Sequence, residues 1–340
     1  MMSSLIKHAA LTTKIRSLIG KMLTDEDYAV LLSKTSVPMV AQQLKTYHEY
    51  GRVLETVDEN SAHRSDLELC LQADIIGQFK KLYHFADSDS KPFLDVYLKR
   101  FELDLLKQIA RSVETGHKSF STVDPFIQRH VGFDIEALLA AKDLNELLEL
   151  LSADHHYTML YNILKARGEV SIFSFEMTLD LYMYNRVLSN AKKTLKGSDR
   201  TFAEKFFGSE ADIMNLRWIY RCKANFKLDK ELIYSYIIPY YYKVSQKTIQ
   251  ALVNASPETC RDMILATPYR EIFAGEDFER EHLRYLKKTS KALMTQFPYS
   301  AVNILCYLRL KSIEAGNIVS IIEGIRYHLN ADEIKEYLVL

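Results

Sequence analysis

Apolar positions along this 340-residue chain recur at helical rather than strand spacing. Leu103, Leu106, Ile109 and Ala110 form one stripe at i, i+3, i+6 and i+7, and Ile213, Leu216, Ile219 and Tyr220 form another. Such spacing places the four residues on one face of an α-helix. Strict alternation over the length of a strand is hard to find. Polar breaks separate the periodic stretches: Asp87-Ser88-Asp89-Ser90-Lys91-Pro92, residues 116–124, Arg167-Gly168-Glu169, Lys196-Gly197-Ser198-Asp199 and Ala274-Gly275-Glu276-Asp277. Each is short, as connections between packed helices are. The pattern predicts an all-α fold.

Three element types recur along the chain, and recurrence changes the architecture expected. One helix reads acid-x-x-(Asn/Leu)-aliphatic-x-x-Ile, at Glu102-Leu105-Leu106-Ile109, Asp212-Asn215-Leu216-Ile219 and Glu314-Asn317-Ile318-Ile321. The first two continue to Arg111 and Arg221. A second unit is a short amphipathic helix that ends in Leu followed shortly by Tyr: Leu44 to Tyr47, Leu151 to Tyr157 and Leu265 to Tyr269. Ser36, Asp143 and Ser256 stand ahead of these helices as N-caps, and Pro257 suits a first helical position because its missing N–H is not needed there. A third type is a long helix with acids on its apolar face: Glu68 with Leu71, Glu176 with Leu179 and Asp180, Glu281 with Leu283 and Leu286. The expected organisation is three pseudo-repeated helical-bundle units, at residues 1–90, 91–170 and 171–340, the last with closing helices. A solenoid adaptor is the competing architecture. Its period is usually within about 20–50 residues, whereas here the unit returns at about 100.

Composition then narrows the function classes. The hydrophobic fraction of 48% supports a sizeable core. Lys plus Arg and Asp plus Glu both total 44, so no global basic footprint calls for nucleic acid. Gly numbers 11 and Pro 7, too few for folds that need many tight turns and close backbone approaches. Cys70, Cys222, Cys260 and Cys306 form no CxxC unit and read as buried small hydrophobes in a reducing compartment. No stretch has the secretory-signal pattern or approaches the ~18 apolar residues of a membrane span.

Candidate chemistry is sparse. No phosphate-cradling Gly-rich loop and no HExxH is present. Glu279 and His282 make a Glu-x-x-His pair, but a two-metal site needs a second copy and further inward acids, so no metal and no cofactor are expected. His155-His156 point in different directions if helical. The Tyr234, Tyr236, Tyr240, Tyr241 and Tyr242 cluster lacks a clustered basic partner and reads as core and interface packing rather than a base-stacking platform. The first 22 residues carry Lys7, Lys14, Arg16 and Lys21 without an acid, a solvated helix face first and an anionic contact second. Glu176, Asp180 and Asp212 are expected to pair with Arg186, Arg217 or Arg221, pairs that fix helix register more than they stabilise. No catalytic residue is expected.

These elements, in this order, resemble the central-stalk C subunit of V-type and A-type ATPases, known as the d subunit in the eukaryotic vacuolar enzyme. The resemblance runs through Phe175-Glu176 to Asp180-Leu181-Tyr182, Asp212, Asn215-Leu216 and Ile219-Tyr220-Arg221. It continues through Tyr236-Ile237-Ile238-Pro239, Ser256-Pro257-Glu258 and Thr267-Pro268-Tyr269, then Lys311, Glu314, Asn317-Ile318 and Ile321 to Gly324. The chain departs from the family at Pro239-Tyr240-Tyr241, where a Gly usually follows the Pro, and its first unit has no long acid-bearing helix ahead of it. The resemblance implies a non-catalytic rotor part: a funnel of three similar units with quasi-threefold symmetry. That part sits peripherally on the cytoplasmic face of the membrane. It joins the D and F subunits of the central stalk to the proteolipid ring, so that torque from the A and B head drives proton or sodium transport. No small-molecule substrate and no nucleic acid are implied. Glu176, Asp180, Asp212, Asn215, Arg221, Pro239, Tyr269, Glu314 and Asn317 would be its structural motif.

Overall fold

A computed structural model describes residues 2–340 apart from 59, 61, 117–130, 154–156, 167–169 and 276, with side chains from His8 onward. His155-His156, the break at 167–169 and most of that at 116–124 lie outside the described residues. Within them the chain is all α-helical, and no strand is present. In chain order the helices are α1 (Met2–Ile19), α2 (Asp25–Leu32), α3 (Val37–Thr46), α4 (His48–Val53), α5 (Arg64–Phe85), α6 (Lys91–Thr115), α7 (Ile135–Leu139), α8 (Leu144–Ser152) and α9 (Thr158–Ala166). There follow α10 (Ile172–Thr194), α11 (Gly197–Ala224), α12 (Lys230–Ser235), α13 (Gln246–Asn254), α14 (Pro257–Leu265), α15 (Arg270–Ala274), α16 (Phe278–Gln296), α17 (Asn303–Arg326) and α18 (Ala331–Glu336).

Local chemistry sets many of these boundaries. Ser36, Asp143 and Ser256 cap α3, α8 and α14, their side-chain oxygens accepting backbone N–H groups of the first turn. Pro92 and Pro257 lie in first turns. Thr24 and Asp27 form a reciprocal capping box on α2, as Asn330 and Glu333 do on α18. Two residues separate α10 from α11, and Gly197 makes the sharp start possible by taking φ +54°.

The chain divides into two compact units, each discontinuous in sequence. The first comprises Met1–Ser88, Gly197–Phe202 and Tyr269–Leu340. Its core joins α2 to α5 with α17 and α18: Leu31, Val40, Leu44, Tyr50 and Leu67 are buried with Ile318, Ile321, Ile322 and Ile334. The short helices near the start thus rest on a helix almost 300 positions later. Gly324 of α17 receives Ile334 of α18, whose side chain occupies the place a β-carbon would need there. The second unit comprises Asp89–Lys196 and Ala203–Pro268. In it α6 packs along α10, and their apolar faces meet Leu144, Leu147, Leu148, Leu151 and Leu160 of α8 and α9. Large side chains at helical spacing explain both cores, because each removes its own apolar area from water.

Candidate functional site

The recurrent acidic helix sits on α6, α11 and α17, and all twelve of its motif positions are buried, none more than 6% exposed. The acid, the Asn or Leu, the aliphatic residue and the Ile occupy i, i+3, i+4 and i+7, one face of each helix. A carboxylate on such a face is costly unless it is hydrogen-bonded or paired. Each acid meets that demand by holding a segment outside its own helix.

On α17, Glu314 Oε2 accepts the Leu23 backbone N–H at 2.6 Å, and its Oε1 accepts the Tyr50 hydroxyl at 2.6 Å and Lys311 Nζ at 2.9 Å. Lys311 also lies 3.0 Å from the Tyr50 hydroxyl and 3.4 Å from Asp74. Burial, then the charge of Glu314, pushes the Tyr50 phenol well above its ordinary range, which keeps it a donor. On α6, Glu102 accepts the Tyr157 hydroxyl and the Gly132 N–H and pairs with Lys99. On α11, Asp212 accepts three consecutive backbone N–H groups: Tyr242 at 3.1 Å, Lys243 at 2.6 Å and Val244 at 3.1 Å. Those three lead into α13, as Leu23 leads into α2 and Gly132 into α7.

The next motif position repeats a second device. Asn215 Nδ2 donates to Ile238 O at 3.0 Å while Ile238 N–H returns to Asn215 Oδ1 at 2.8 Å. Asn317 Nδ2 donates to Val339 O at 3.1 Å while Val339 N–H returns to Asn317 Oδ1 at 2.9 Å. An amide side chain pairs in this way with one residue's two backbone polar groups, substituting for the ladder neighbour that irregular backbone lacks. Pro239 is exposed and forms the centre of a three-residue turn closed by Tyr240 N–H on Ile238 O at 2.7 Å, a conformation its fixed φ suits. No Gly follows the Pro here. Gly208 of α11 instead makes room for the loop, since a β-carbon there would meet Tyr242 at 2.9 Å.

The remaining expected residues divide. Glu176 pairs with Arg111 at 2.5 Å and Asp180 with Lys107, so the partners lie on α6 and not at Arg186, Arg217 or Arg221 as expected. The reason is packing: α10 runs along α6, and Arg111 and Lys107 are one turn apart on its facing side. The Glu176 carboxylate raises the Arg111 guanidinium above its usual range, whereas burial outweighs Lys107 and raises Asp180. Arg186 lies over its own helix's Tyr182 ring. Arg221 is half-buried in the last turn of α11. Tyr269 is buried in the first unit, edge-on to Tyr285 at 5.7 Å. Tyr50, not Tyr47, reaches the acid of α17. Its signal was its place six residues after Leu44, the spacing of Leu151 to Tyr157. Lys99, three residues before its acid, is the other residue that sequence reasoning missed; Lys311 has the same spacing and entered only as part of the resemblance.

Other expectations resolve residue by residue. Leu283 is exposed, so the acid-bearing face of α16 is not wholly apolar. Tyr236 is buried, while Tyr234, Tyr241 and Tyr242 reach the surface. All four cysteines are free thiols, and burial pushes Cys222 and Cys260 up to about 11. His282 lies beside the Phe278 ring, and among the described residues no three His, Cys, Asp or Glu side chains converge to hold a metal.

A helical scaffold whose buried polar groups grip its own loops is the class this geometry defines. The chain belongs to the ATP synthase (C/AC39) subunit family, whose profile matches residues 11–337. Among curated relatives, the C subunit of the A-type ATP synthase of Methanocaldococcus jannaschii is 22% identical, over 100% of this chain and 88% of the relative. The proteins of the same name from Methanosphaera stadtmanae and Methanococcoides burtonii are 22% and 23% identical, covering 96% and 98% of this chain and 86% and 94% of theirs. As a family member the chain is a structural, non-catalytic subunit of a rotary ATPase. Among the described residues no helix is long and apolar enough to cross a membrane.

Proposed function

We propose that the chain is the central-stalk rotor part that couples the D and F stalk subunits to the membrane proteolipid ring, carrying torque for proton or sodium transport. In this reading it sits peripherally on the cytoplasmic face as a funnel of three diverged helical units. They begin near residues 1, 91 and 171, and the closing helices complete the first. The carrying observation is the recurrence of one anchoring device on α6, α11 and α17, a buried acid that holds the backbone leading into a set of short helices. A torque-bearing adaptor requires irregular segments fixed to stiff helices, and charge-assisted hydrogen bonds in a dry environment supply that fixation.

The test is a pull-down from detergent-solubilised membranes with the tagged chain. The D and F subunits and the proteolipid should co-purify in fixed ratio. Recovery of the A and B head without D, F or proteolipid would overturn the assignment.

A further inference from the structure

Residues 1–24 and 282–313 together carry ten Lys or Arg and no Asp or Glu, in a chain whose acids and bases each total 44. Both stretches belong to the first unit, where α1, α16 and α17 wall a cavity of about 530 Å³. Its apolar lining includes the buried Ile15 and Leu310 and the half-buried Met294. Arg16 and Lys291 line it as exposed cations, and neither makes an ion pair among the described residues. Lys287, one turn before Lys291, is held below the ordinary lysine range by burial first and by Lys291 next, against the opposing charges of Asp25 and Glu314.

Asn303 adds a demand of the opposite kind. It lines the cavity, is 3% exposed, and donates its Nδ2 to Phe297 O at 2.8 Å and Pro298 O at 3.3 Å. Its Oδ1 is buried and accepts no hydrogen bond among the described residues, and a buried acceptor without a donor is unfavourable. The cavity therefore suits a ligand with an anion for the cations, a donor for Asn303 and an apolar body for the floor. Its volume is that of a small organic molecule, far above that of a bare ion.

We propose that this cavity binds one anionic phospholipid. Arg16 and Lys291 take the phosphate, a headgroup hydroxyl donates to Asn303 Oδ1, and the start of an acyl chain lies on Ile15, Met294 and Leu310. The choice of a lipid over a soluble phosphate ester rests on the membrane-peripheral placement proposed above and on the apolar floor.

The full chain is tested for co-flotation with phosphatidylcholine vesicles, with vesicles doped with phosphatidylglycerol, and, by calorimetry, for binding of glycerol phosphate. Binding to the doped vesicles alone is expected. Arg16→Gln with Lys291→Gln should weaken it about thirtyfold, the factor expected for two cations at an anionic surface. Met294→Trp, which fills the cavity without changing charge, should weaken it about tenfold; Thr295→Trp serves if that variant does not fold. Absence of flotation overturns the proposal. So does flotation lost with the charge pair but kept with the plug, which means diffuse surface attraction, and so does glycerol phosphate binding as tight as lipid. None of these outcomes bears on the pull-down, which needs no lipid in this cavity.

Discussion

Glu314 in the first unit and Asp212 in the second occupy the same motif position on their helices, yet they are neutralised differently. Three residues before Glu314 stands Lys311, which contributes a buried cation to a set that includes Asp74, Tyr50 and the Leu23 N–H. Three residues before Asp212 stands Ser209, and that acid collects three consecutive backbone N–H groups. Glu102 follows the first pattern, with Lys99 in the lysine place. The difference teaches that a buried acceptor holding a loop to a helix is the fixed requirement, while the compensating donors vary.

Breaking the acids gives the largest effects. Lys311→Met leaves Glu314 and Asp74 buried without their cation and should cost about 4 kcal/mol in denaturant unfolding, whereas Lys99→Met, at a partly exposed site, should cost about 1 kcal/mol. Equal losses would remove the distinction drawn between the sites. Asp212→Ala strands three N–H donors and should also cost about 4 kcal/mol; an unchanged melting temperature would make it a solvent-facing acid after all. The two Asn clamps are a matched pair. Asn215→Ala and Asn317→Ala should each cost about 2–3 kcal/mol, and Asn→Asp at either site should be no better than Ala, because it removes the donor.

Smaller effects sharpen the contrast with exposed pairs. Glu176→Gln, whose partner Arg111 is largely exposed, should change stability by less than about 1 kcal/mol and should be masked by salt. Smallest is Asp27, which the Thr24 backbone N–H holds below its ordinary value of 3.8. Its folded-state affinity for protons is lowered, so its contribution is present above that value and lost as pH falls through the lower folded one. After solvent screening it amounts to about 0.5 kcal/mol or less, measured as the difference in acid titration between the wild-type chain and Asp27→Asn.

Much of this was legible in the chain itself. Ser36, Asp143 and Ser256 fixed helix starts because capping is local chemistry, and the stripe from Glu102 to Ile109 was readable because burial follows period. The partners were not. Arg111 and Lys107 meet Glu176 and Asp180 only because α6 runs along α10, a fact of tertiary packing. The long acid-bearing helix that serves the first short-helix set is α17, near the far end of the chain, and no local signal announces so distant a partner. Tyr47 and Tyr50 both follow Leu44 closely, and only the geometry at Glu314 shows that Tyr50 is the one that reaches the acid.

The central claim is that helix side chains pin irregular backbone. Native-state amide hydrogen exchange at Ile238, Val339, Lys243 and Val244 tests it most directly. The account predicts protection comparable to that of the α11 and α17 interiors, lost at Ile238 alone in Asn215→Ala and at Val339 alone in Asn317→Ala. Exchange at those amides as fast as in the exposed loops of the same molecule would contradict it.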